Sequence, residues 1–106
     1  MKKTITLGHF ILAGIPYAIP HREPWEQLSQ NQPVRVVRER HNPHDPLAIQ
    51  VATTDGFPLG YIRRDDNRIL SAIMDQQGEL AAHIAKLDTE CPSHPREVHI
   101  AISILV

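Results

Sequence analysis

Arg38-Glu39-Arg40-His41-Asn42-Pro43-His44-Asp45-Pro46 brings cations, two imidazoles, an amide and a carboxylate into one proline-stiffened turn. Guanidinium groups suit phosphate, and a carboxylate beside an amide can take up a hydroxyl. Strand-like runs at 34–39 and 47–53 flank the turn, and loops anchored on rigid strands are where small domains place binding groups. The same residues also have a purely structural reading, because Asn, Asp and Pro preset tight turns through restricted φ and local side-chain hydrogen bonds. Arg35, Arg38 and Arg40 can likewise be a solvated strand face that blunts an edge.

Seven histidines invite a metal site. His41, His44 and Asp45 offer two imidazoles and a carboxylate, yet zinc takes three or four ligands and no separated second pair accompanies them. Cys91-Pro92-Ser93-His94 could add two ligands, again without a partner pair. The enzyme this cluster would support is a metal-assisted phosphohydrolase acting on nucleic acid. No Gly-x4-Gly-Lys-Ser/Thr loop or Gly-x-Ser-x-Gly elbow occurs to carry ATP or serine chemistry. A third reading is a protein-interaction barrel that docks on a helicase, nuclease or other DNA-processing partner.

A chain of 106 residues with 42% hydrophobic content fits one ordered domain over 1–106. Its formal net charge of -1 excludes a generally basic nucleic-acid coat protein, so phosphate binding would need a local patch. The single Cys91 cannot form an internal disulfide, and no run reaches the roughly 20 apolar residues needed to span a bilayer. No apolar signal segment follows Met1-Lys2-Lys3, so the expected setting is soluble, reducing and cytoplasmic, with no membrane partner. Two Phe, two Tyr and one Trp leave few groups for stacking. Of these, Tyr17 can stack or pack at the rim, and Trp25 reads as an anchor for its loop.

Residues 4–13 read as a strand covered on both faces, with Ile5, Leu7 and Ile11 on one parity and Phe10 and Leu12 on the other. An exposed connection at 20–25 and a short helical turn at 25–29 follow. Val34 and Val36, then Leu47, Ile49 and Val51, alternate with period two. Asp55-Gly56 predicts a tight hairpin in which the pair supplies the positive φ angles. Asp65 or Asp66 is placed to cap a helix whose apolar face is Ile69, Leu70, Ile73 and Met74, with Gly78 as its stop. Leu80, Ala82 and Ile84, and then Val98, Ile100, Ile102 and Ile104, predict two more strands joined by a loop at 88–96. Without crossover helices a doubly wound parallel sheet is excluded. The expected fold is mainly β, a small OB-like or SH3-like β-barrel with one or two short α-helices.

Three stretches carry a further likeness: Ala13-Gly14-Ile15-Pro16-Tyr17, then Arg38-Glu39 leading into Asn42-Pro43-His44-Asp45-Pro46-Leu47-Ala48-Ile49, and Leu59-Gly60-Tyr61-Ile62. Together they resemble the HIRAN domain family, whose members stand at the N-terminus of certain Swi/Snf-type DNA translocases or alone in bacteria. The resemblance covers most of the chain, and the middle stretch is its most specific part. It implies a modified OB-like or SH3-like barrel without cofactor that binds single-stranded DNA. In the eukaryotic translocases such a barrel captures the 3′ end, which implies a role in targeting DNA repair or processing machinery.

By the same resemblance, Asn42 and Asp45 would hold the terminal 3′-hydroxyl, Tyr17 would stack on a base, and Arg63 and Arg64 would lie near the backbone. His44 and Tyr61 would line the base, and Arg38 would face a phosphate. The chemistry agrees, since a carboxylate accepts from a hydroxyl and repels a phosphate, while stacking tolerates any base. His44 stands where the eukaryotic members have Tyr and Pro16 where they have Arg, which shrinks one stacking surface and removes one phosphate contact. No residue of the sequence is assigned to a 2′-hydroxyl, so the motifs read DNA and RNA alike.

Overall fold

A computed structural model describes residues 3–13, 28–88 and 97–106. The connection expected at 20–25 and most of the loop at 88–96 lie outside the described residues. Of the helical turn expected at 25–29, only Leu28 and Ser29 are described, and neither is helical.

Six strands and one helix form in the order β1 (Thr4–Ala13), β2 (Pro33–Arg38), β3 (Ile49–Thr53), β4 (Pro58–Ile62), α1 (Arg64–Asp75), β5 (Glu79–Leu87) and β6 (Val98–Leu105). All strand pairs are antiparallel and close a barrel in the spatial order β1-β4-β3-β2-β5-β6. Closure joins edges that would otherwise template aggregation. The alternation seen in the sequence becomes burial: Ile49, Val51, Leu59, Ile84, Val98, Ile100 and Ile102 form the centre of the core. The seams of β1 with β6, β2 with β3 and β5 with β6 are long, whereas β2 meets β5 through two residue pairs and β1 meets β4 through two, Leu12 opposite Ile62 and Ala13 opposite Tyr61.

The hairpin between β3 and β4 forms at Asp55-Gly56 by a different turn from the one expected. Gly56 N–H donates to the Thr53 carbonyl at 2.9 Å, and Thr53 N–H donates to the Phe57 carbonyl at 2.8 Å. Only Gly56 takes positive φ, at 96°, so the loop has three residues and ends in a glycine bulge. Thr53 Oγ1 accepts from Phe57 N–H at 2.9 Å and steadies that bulge.

The helix corrects two further expectations. Its N-cap is Arg63, with extended backbone and no side-chain cap bond; Asp65 and Asp66 fall inside the first turn. The cause is that β4 ends at Ile62 and the Arg63 carbonyl at once accepts from the N–H groups of Asp66 and Asn67, leaving no loop to hold a capping side chain. The two carboxylates instead favour the positive end of the helix dipole. The inward face runs through Asn67, Leu70 and Ser71, while Ile69 is 72% exposed. Of the apolar face read from the sequence, Leu70 is in the core and Met74 packs against it, whereas Ile69 points to solvent and Asn67 and Ser71 share the buried stripe.

At the other end, Gln77 N–H donates to the Met74 carbonyl and Gly78 N–H to that of Ile73, the paired bonds of a Schellman stop. The left-handed position falls to Gln77, at φ 66°. Gly78 is required by space: a Cβ there would stand 2.5 Å from Ile73 Cγ2 and 2.8 Å from its carbonyl oxygen. Neighbouring substitutions therefore have opposite signs. Gln77→Gly raises the unfolding free energy by about 0.5–1 kcal/mol by removing a left-handed side chain, and Gly78→Ala lowers it by about 1–3 kcal/mol, both read from urea denaturation.

Candidate functional site

The 39–48 loop is built by its own side chains. Asn42 Oδ1 accepts from the backbone N–H groups of His44 at 2.8 Å and Asp45 at 3.2 Å, which folds the chain back on itself. Asn42 Nδ2 donates to Glu39 Oε1 at 3.0 Å. Tyr61 of β4 donates its hydroxyl to the same oxygen at 2.9 Å, so Glu39 ties the loop to the barrel wall. Burial, reinforced by Glu39, raises the Tyr61 pKa, and the phenol stays a neutral donor.

Arg38 fixes the base of the loop. Its Nη1 donates to the carbonyls of Pro46 at 2.7 Å and Ala48 at 3.3 Å, while Nε and Nη2 engage the two oxygens of Asp75 at 3.1 and 3.3 Å. Arg40 adds a second cation to Asp75, at 3.2 Å. The Arg38 hydrogen bond, then the charges of Arg38 and Arg40, hold the Asp75 carboxyl below the usual aspartate range.

Asp45 stands at the turn, its side chain 19% exposed. Oδ1 accepts from Leu47 N–H at 2.9 Å, and Oδ2 accepts from Asn67 Nδ2 at 2.9 Å, with Arg64 Nε at 3.7 Å. The Leu47 bond first, then the Asn67 bond, and then the charges of Arg64 and Arg38 lower its pKa against the opposing effect of burial. Arg64 Nη2 also donates to the His44 carbonyl at 3.0 Å, although the Arg64 side chain remains 75% exposed.

These groups surround a cavity of about 310 Å³. Ala13, Ala48 and Ile62 give it apolar walls; Asn42, Asp45, Tyr61 and Asn67 contribute polar groups; His44, Arg63 and Arg64 complete the lining. Seven of the eight residues singled out in the sequence are thus in or beside one place, and six line the cavity. Arg38 is outside the lining and is engaged internally; Tyr17 lies outside the described residues. Among the described residues no group of three or more His, Cys, Asp or Glu side chains is placed to hold a metal ion, so His41, His44 and Asp45 do not converge as one. Asn67, Glu39 and Asp75 were not assigned roles from sequence. The available signal for Asn67 was its position three residues before Leu70, a polar residue on the buried helical stripe.

The closed antiparallel barrel with a helix-braced loop defines a small β-barrel module. A model of the HIRAN domain matches residues 9–104, and the chain belongs to that family. The crystal structure of a protein from Lactobacillus plantarum is similar to it at 25% identity and TM-score 0.86, with 99% of this chain and 98% of that chain covered. The crystal structure of the HIRAN domain of human HLTF matches at 17% identity and TM-score 0.73, covering 96% of this chain and 78% of that one. The NMR structure of the HLTF HIRAN domain in its DNA-bound conformation matches at 18% identity and TM-score 0.60, covering 94% and 78%. No curated protein matches the chain. Among the described residues no helix is long and apolar enough to cross a membrane.

Two measurements check this geometry. Arg38→Ala removes the donor to two loop carbonyls and lowers stability by about 1 kcal/mol or more in urea denaturation, whereas Arg64→Ala, at an exposed position, changes it by less than about 0.5 kcal/mol. Because the folded Asp45 carboxyl titrates below the unfolded one, its contribution to stability is fully present above the ordinary value near 3.9 and is lost as pH falls through the lowered folded value. Thermal melts of the wild type and Asp45→Asn should therefore converge only in strong acid.

Proposed function

We propose that this chain is a nucleic-acid-binding module whose cavity receives the 3′-hydroxyl end of a single strand, in the first instance DNA, and so directs a repair or processing machinery to that end. The observation that carries the reading is Asp45: a carboxylate fixed by two hydrogen bonds at a cavity with apolar walls, with the exposed Arg63 and Arg64 in its lining. Support also comes from a fellow HIRAN domain, that of HLTF, described in a DNA-bound conformation.

In this reading Asp45 accepts from the terminal hydroxyl. A phosphate at the same point would meet its negative charge, so attraction of one end and rejection of another come from one residue. Asn42 shapes the turn and keeps one amide hydrogen for the ligand. Arg63 and Arg64 meet backbone phosphates, Tyr61 and His44 border the last base, and Tyr17 supplies the stacking face. Arg38 acts by positioning the loop, since four of its five N–H donors are already engaged. A helicase, nuclease or other DNA-processing protein is the partner class such an end-reader would serve.

Fluorescence anisotropy with a 5′-labelled single strand tests the reading. Tighter binding of the 3′-hydroxyl form than of the 3′-phosphate form is expected, with a blunt duplex weaker than both, and Asp45→Ala should abolish the difference between the two ends. Arg63→Ala or Arg64→Ala should each flatten the slope of log K against log salt by about 0.7. Equal affinity of the wild type for both ends would overturn the end-reading.

A further inference from the structure

Asn67 is the deepest polar side chain of the cavity, 3% exposed. Its Nδ2 donates to Asp45 Oδ2, which fixes which amide atom faces the carboxylate. Among the described residues no hydrogen bond reaches its Oδ1. A buried carbonyl without a donor destabilises the fold, and such groups persist where a ligand or water completes them.

The position of this acceptor limits what can complete it. Oδ1 and Nδ2 share one carbon, so Oδ1 lies within an amide's width of the atom that contacts Asp45. A ligand donor that reaches Oδ1 while a hydroxyl occupies Asp45 must therefore be carried next to that hydroxyl. On a nucleotide the sugar atom beside C3′ that can bear a donor is C2′, which holds a hydroxyl in RNA and hydrogen in DNA. An amino group on the base is separated from the 3′-hydroxyl by several bonds and cannot reach both acceptors together.

On the reading of the cavity as a 3′-end site, we propose that Asp45 and Asn67 form a paired acceptor for the 2′,3′-diol of a terminal ribonucleotide, so that the cavity prefers ribose to deoxyribose at the end of the strand. Asp45 takes the 3′-hydroxyl and Asn67 Oδ1 takes the 2′-hydroxyl. The apolar walls at Ala13, Ala48 and Ile62 offer no competing side-chain acceptor.

The test uses the intact protein and 5′-labelled single strands identical except for the last nucleotide, which carries 2′-hydroxyl, 2′-hydrogen or 2′-fluorine above a free 3′-hydroxyl. The ribonucleotide end should bind about threefold to tenfold more tightly than the deoxyribonucleotide end. The fluorinated end, which has no donor, should gain nothing over deoxyribose. Asn67→Leu, similar in volume and shown to be folded by thermal melting, should erase the ribose preference; if it does not fold, the ligand series on the wild type decides alone. Equal or tighter binding of the deoxyribonucleotide, with 3′-hydroxyl still preferred to 3′-phosphate, would overturn the paired acceptor and leave the end-reading standing. Indifference to hydroxyl and phosphate would overturn both.

Discussion

The loop that carries Asp45 is held by one helix at two points, and the site depends on that double attachment. Near the start of α1, Asn67 holds the Asp45 carboxylate; at its last residue, Asp75 engages the guanidinium of Arg38. Arg38 in turn donates to the loop carbonyls of Pro46 and Ala48. A carboxylate at a helix C-terminus meets the negative end of the dipole, so Asp75 is adverse there unless cations neutralise it. Arg38 and Arg40 do so, which converts an unfavourable local charge into the attachment of the loop.

The barrel decides where this helix can lie. β4 runs without a connecting loop into α1, and the same strand forms the two-residue seam with β1 through Tyr61 and Ile62. The cavity sits at that seam, with Ala13 from β1 and Tyr61 and Ile62 from β4 in its wall. Tyr61 then serves both structures: its backbone pairs with Ala13, and its hydroxyl meets Glu39, which also holds Asn42. A displacement of β4 would thus move the wall and the loop together.

Much of the fold was legible because strands such as β2 and β5 bury one parity; β1 is an exception, since its sequence reads as covered on both faces while Ile5 and Leu7 are exposed. Val98, Ile100 and Ile102 are fully buried, as their alternation indicated, and Asp55-Gly56 marked the hairpin although not its turn type. The helix face is legible at Leu70 and Met74 but not at its flank, because hydrophobicity alone cannot show that Asn67 and Ser71 face inward while Ile69 faces solvent. The site was legible as a loop, since Asn42 and Asp45 adjoin in sequence. Its supports were not, because Asn67 lies 22 residues from Asp45 and Asp75 lies 37 from Arg38, and no local pattern records such pairings. The turn reading of the motif is borne out, since Asn42 and Asp45 fold the loop through their side chains, and both residues also line the cavity.

The distribution of charge bears on how a ligand would enter. Arg64 stands 3.7 Å from Asp45, with a side chain 75% exposed, and exposed ion pairs of this kind contribute little to stability. Its departure toward a phosphate would therefore leave Asp45 in place, because the Leu47 and Asn67 bonds that fix the carboxylate do not involve the arginine. The same contact contributes to holding the Asp45 carboxyl below the usual aspartate range. In the proposed strand-binding role, the exposed Arg64 would exchange the carboxylate for a phosphate, while the Leu47 and Asn67 bonds to Asp45 would not need to change. Preorganised acceptors with an exchangeable counterion keep the reorganisation accompanying binding confined to a surface side chain.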